Sequence, residues 1–182
     1  MDSTQKRRLV VDPILSKVPE IGRWLWALQD TRQLTLEEIE QLTPAMIDWL
    51  PPDDESTIGT ILYHIALIEM DWLYAEVLER PEAPEIAELF AYEHRDRQGR
   101  LTQVTGISLQ EHLIRLEVVR ALLLESYLQM DLAEFRRPRS LPAYDVTPEW
   151  VLHHLIQHEA EHRSQLGSLR LQATRSLALE RE

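Results

Sequence analysis

Apolar residues recur every three or four positions along four long stretches, and no stretch alternates apolar and polar residues as a half-buried strand must. The first stretch begins at Pro19, whose fixed φ suits a first helical position, carries Ile21, Trp24, Leu25 and Leu28, and fades by Leu34. The second runs from Ser56 to Glu79 with a stripe of Ile58, Ile61, Ile65, Ile68 and Trp72. The third opens at Ser108, with Glu111 placed for a capping box, and reaches Ala133 with Leu113, Leu116, Leu124 and Tyr127 on one side. Thr147 caps the fourth, Pro148 starts it, and it extends to Ala173. Between the first two, TLEEIEQLTPAMIDWL reads as two short helices, one opened by a Thr35–Glu38 capping box and one by Thr43-Pro44, with Pro51-Pro52 as the stop. Arg80 to Gly106 is a long crossover with a helical turn near Ile86–Tyr92, FRRPRSLPAYD is a loop, and SLALERE is a frayed end. The pattern predicts an all-α four-helix bundle with long crossover connections, a single domain over residues 1–182.

Composition removes several classes of function. Five glycines, with no GxGxxG and no GxxxxGK[ST], leave no phosphate-cradling loop for a nucleotide cofactor. The absence of cysteine excludes disulfide scaffolds, thiolate metal sites and a cysteine nucleophile. A net charge of -12 repels phosphate backbones, so nucleic acid is not an expected partner. No apolar run approaches the roughly 20 residues of a membrane span, and no signal-peptide core follows the N-terminal basic residues. A cytoplasmic protein is the expectation.

The chemistry concentrates in histidine. Of the seven, at positions 64, 94, 112, 153, 154, 158 and 162, four fall in HHLIQHEAEH. His154, His158 and His162 recur every four residues and form one stripe beside Leu155, Leu166 and Leu169, so they point toward the core. Histidines four apart on a helix bring their rings within reach of one ion. His64 lies on the apolar stripe of the second helix. Two facing helices then supply inward imidazoles, which suits a three-nitrogen metal site with open positions as well as it suits hydrogen-bonded core histidines.

These stretches, STIGTILYHIALIEMDWL and TPEWVLHHLIQHEAEHRSQL, resemble the DinB-like (YfiT-like) superfamily of bacterial four-helix bundles, and the resemblance covers nearly the whole chain. It implies one divalent metal held by His64, His158 and His162, with zinc, nickel, iron, manganese or copper all compatible with imidazole ligands. The family's HRGQ run appears as His162-Arg163-Ser164-Gln165, a change that touches no ligand. The resemblance also implies a homodimer, and an activity that includes thiol S-transfer with a low-molecular-weight thiol cosubstrate such as mycothiol or bacillithiol. Hydrolysis by an activated water is the companion reading, and a metal that only staples the bundle is the non-enzymatic one.

Other residues admit competing readings. HEAEH matches the zinc-protease H-E-x-x-H, with Glu159 as general base, but Gln165 and Ser168 stand where the metzincin glycine and third histidine belong. Glu159 is otherwise expected to face solvent or a partner. Arg120, inside an apolar stripe, needs either a carboxylate such as Glu117 or an anionic ligand. His154 is read as packing or supporting the ligands, Arg163 as an ion pair at the surface, and His94 and His112 as exposed. The tryptophans are read mostly as core anchors, with Trp24 and Trp26 unable to face the same way. No catalytic residue is assigned.

Overall fold

The computed structural model describes residues 9–52 and 56–179. Four long helices dominate: α1 (Pro19–Ile39), α3 (Ile58–Asp71), α5 (Leu109–Leu128) and α7 (Pro148–Leu179), with the short α2 (Pro44–Ile47), α4 (Pro84–Ala87) and α6 (Leu132–Phe135) in the connections. A π-helical stretch, Trp72–Val77, prolongs α3, and a two-residue hairpin, β1 (Arg139–Ser140) with β2 (Asp145–Val146), precedes α7. Helix α1 packs on α7, and α3 packs on both α5 and α7, which makes the bundle. Among the described residues no helix is long and apolar enough to cross a membrane.

The starts follow the predicted chemistry. Ser108 and Glu111 form a reciprocal capping box, and the Thr43 and Thr147 hydroxyls accept backbone N–H groups of the first turn. The Thr35 box does not form. Helix α1 runs unbroken to Ile39, and Thr35, fully buried, donates instead to the Thr31 carbonyl four residues back. Tertiary burial overrides the local cap there. The third helix ends at Leu128 rather than Ala133, because Asp131 caps α6 and starts a new turn. The fourth reaches Leu179, and residues 180–182 lie outside the described residues.

Helix α3 is the central element: every residue from Ile58 to Met70 is buried. Entry into α1 is tight. The Gly22 carbonyl accepts from Ile14 N–H, and a Cβ on Gly22 would stand 2.3 Å from the Ile14 carbonyl oxygen, so only glycine fits. No tryptophan among the five is fully buried, which corrects the core-anchor reading; Trp24, Trp26, Trp49 and Trp72 are half-buried and Trp150 is exposed. A large ring with a polar N–H reaches the core margin more easily than its centre.

At the bundle's centre each long helix contributes one charge: Arg32 from α1, Glu69 from α3, Arg120 from α5 and Glu159 from α7. Arg32 Nε donates to Glu159 Oε1 at 2.7 Å and its Nη2 to Glu69 Oε2 at 2.8 Å. Arg120 Nε donates to Glu69 Oε1 at 2.6 Å and its Nη2 to Glu159 Oε2 at 2.9 Å. Each guanidinium thus bridges both carboxylates, and the remaining Nη1 groups donate to the Leu116 and Leu28 carbonyls. The two positive and two negative charges cancel, so the desolvation cost of burial is offset within the cluster.

Candidate metal centre

Two turns of α7 and one of α3 bring His64, His158 and His162 together. Their ligand-capable nitrogens all lie within 4.8 Å of one another. The His158 Nε2 is 3.1 Å from His64 Nε2 and 3.1 Å from His162 Nε2. Near-tetrahedral coordination at metal–nitrogen bonds of 2.0–2.1 Å separates its nitrogens by about 3.3 Å, close to the two 3.1 Å separations at His158, so these residues could hold a single divalent ion. The convergence also has a local cause. Glu159 is rotated about 100° from His158 on α7, and Arg32 and Arg120 link it to Glu69 of α3, which ties together the two helices that carry His158 and His64.

Electrostatics keep the rings in the ligand-competent form. Burial, then the positive potential of His158 and His162, pushes His64 down to about 2. Burial and then His162 push His158 down to about 3. At neutral pH both are unprotonated, with lone pairs available. The orientation of His162 follows from its neighbour: Nδ1 lies 2.8 Å from Gln165 Oε1, an atom that only accepts, so Nδ1 donates there and Nε2 is the nitrogen turned toward His158. Gln165 therefore supports the ring as carboxylates and carbonyls support metal-bound histidines elsewhere. His64 has no such support; its Nδ1 is buried without a partner. A cavity of about 200 Å3, lined by Ser56, Ile61, His162, Gln165 and Ser168, opens beside the cluster.

His154 does not join the three. Its ring packs 4.3 Å from Trp72 and 5.3 Å from Trp150, in accord with a packing role. Glu159 faces neither solvent nor a partner molecule. Both its oxygens accept from Arg32 and Arg120, which hold its carboxyl below the usual range against the opposing effect of burial. A carboxylate so committed is no protease base, and H-E-x-x-H here is a coincidence of spacing. Arg120 pairs with Glu69 and Glu159, not with Glu117 and not with a ligand. Arg163 is half-buried with Nη1 unpartnered, rather than in a surface ion pair.

Of two histidines expected at the surface, His94 is partly buried and His112 is fully inside. His94 comes in on the crossover and stacks on His64, centroids 4.9 Å apart and planes within 3°. His112 is 1% exposed, with both ring nitrogens unpartnered, packed against Gly59, where any Cβ would stand 3.3 Å from its Nε2. The signal for His112 was its register, four before Leu116 and eight before Arg120. Arg32 was also missed, although it continues the α1 stripe of Ile21, Leu25 and Leu28, and Glu69 was the lone carboxylate inside the apolar body of α3.

No curated protein matches the chain. The family model of the DinB superfamily matches residues 27–166, which contain all three histidines and the four buried charges. On that match, and with its helical bundle, the chain belongs to the DinB superfamily.

Proposed function

We propose that the protein binds one divalent metal ion on His64, His158 and His162 and uses it catalytically, for S-transfer from a low-molecular-weight thiol or for hydrolysis. The observation that carries this is the convergence of three imidazoles on a point beside an open cavity, with His162 belonging to both. A divalent ion held only by neutral ligands keeps its full charge and lowers the pKa of a coordinated thiol or water, so that a nucleophile exists at neutral pH. The protein's own part is to orient the three rings, to keep protons off His64 and His158 by burial, and to hold the His162 ring through Gln165. The chain has no cysteine, so any thiol is a cosubstrate. Thiol transfer is the preferred branch on family resemblance. A homodimer belongs to the same expectation.

Metal content by plasma mass spectrometry on untagged protein tests the site. About one ion per chain in the wild type, lost in His64→Ala, is the expected result. Metal retained by His64→Ala means that the α7 pair binds alone and the three-histidine site is wrong. The filled protein is then assayed with thiols and an electrophile panel, and with esters. A filled site with no turnover leaves the ion as a staple between α3 and α7, the non-enzymatic reading.

A further inference from the structure

A cavity of about 550 Å3 opens between the end of α3, the hairpin and the first turn of α7. Its wall is aromatic. Trp72, at the start of the π-helical stretch, lies 5.5 Å from Trp150 and 6.2 Å from Tyr144, centroid to centroid, with planes inclined by 37° and 23°. Trp150 and Tyr144 remain 47% and 44% exposed although they line a concavity. Exposed aromatic faces gathered in this way cost solvation and mark a binding site.

Charge decides what the site takes. Asp145 is the one charged residue in the lining, and neither lysine nor arginine contributes to it. Behind the wall the Tyr144 hydroxyl donates to Glu76 Oε1 at 2.8 Å, which adds electron density to the ring. An anion finds no donor of positive charge here. A purely apolar group would strip water from the Asp145 carboxylate without replacement. A cation with an apolar shell meets both the ring faces and the carboxylate. The overall charge of -12 likewise attracts a cation.

We propose that this cavity binds a small organic cation, with an alkylated ammonium group against Trp72, Tyr144 and Trp150 and with Asp145 as its counter-charge. The site stands apart from the three histidines but close to them: Trp150, His154 and His158 follow one another every four residues on one face of α7. A ligand longer than its ammonium end would extend past His154 toward the metal centre, a corollary that rests on the metal reading. The binding itself does not.

The test is an NMR titration of the full-length protein, with and without added metal, followed at the five indole Nε1–H signals of Trp24, Trp26, Trp49, Trp72 and Trp150. The probe is choline, and the control is 3,3-dimethyl-1-butanol, its uncharged carbon isostere. Choline is expected to shift two signals saturably, those assigned by Trp72→Phe and Trp150→Phe, whether or not metal is present. The neutral isostere is expected to bind about fivefold or more weakly. Asp145→Asn, a surface change that spares the fold, is expected to weaken choline and leave the isostere unchanged. Equal affinity for the two probes would reduce the cavity to an apolar pocket and overturn the proposal. So would the absence of a saturable shift at the Trp72 and Trp150 signals. Whether His64→Ala loses its metal has no bearing on these shifts, so the two readings fail separately.

Discussion

Two clusters of inward-facing polar side chains adjoin one another in the bundle through His158 and Glu159, and they differ in how fully their polar groups are paired. In the Arg32–Glu69–Arg120–Glu159 cluster every carboxylate oxygen meets a guanidinium N–H and the charges sum to zero. In the His64–His158–His162 cluster three nitrogens face one another, protons are driven off His64 and His158 by burial and by neighbouring rings, and His64 Nδ1 has no partner. The first cluster is complete without anything added, as structural networks are. The second leaves three ligand-capable nitrogens placed where they could hold a cation. Completeness, more than burial or charge, separates an architectural cluster from a ligand site.

The contrast predicts opposite responses to truncation. The largest effect is expected from Arg120→Met, which leaves two buried carboxylates on one guanidinium and costs about 3–5 kcal/mol. In thermal melts that is a loss of roughly 10 °C for a domain of this size. Replacing all four charges by apolar residues of similar volume recovers most of the loss. Arg120→Met at wild-type stability would mean that the cluster is not closed in solution.

His112 supplies an intermediate case, buried like the charged cluster but with neither salt partners nor converging ligands. Burial, then Arg115, pushes its pKa from 6.5 down to about 4, while Glu111 and Asp48 oppose the shift. The folded pKa lies below the unfolded one, so the unfolded chain binds the extra proton. Stability is therefore full above about pH 6.5 and declines as the pH falls toward 4, by an amount of order 3 kcal/mol. Metal-free melts of wild type and His112→Leu between pH 4 and 7 should diverge, with the flatter profile in the variant. Parallel profiles would remove the effect.

The smallest effect is at Gln165. Gln165→Leu takes away the acceptor that holds the His162 proton on Nδ1. Metal affinity is expected to fall about 10–100-fold, measured by competition with a chelator, while the metal-free melt stays within about 0.5 kcal/mol of wild type. A fall in the metal-free melt instead would make Gln165 architectural and blur the distinction between the clusters.

Much of this was legible before any coordinates. Helix periodicity located the four long helices, the Ser108 and Thr147 caps located two starts, and the four-residue spacing of His158 and His162 put two rings on one face of α7. Those features are local, dictated by backbone geometry over one or two turns. The unbroken course of α1 through Thr35 was not legible, because a capping box and a helix interior share the same residues and burial chooses between them. Nor were the partners of Arg120 and Glu159, which lie 51 and 127 positions away in Glu69 and Arg32. His94 is the clearest case. Nothing in the crossover's composition announces that its ring will lie against His64, since only the docking of the loop on the bundle brings the two within 4.9 Å. Local sequence decides which face of a helix is apolar and which side chains share it. Which faces meet, which charges cancel and which nitrogens converge depend on packing between segments far apart in the chain, where no periodicity reaches.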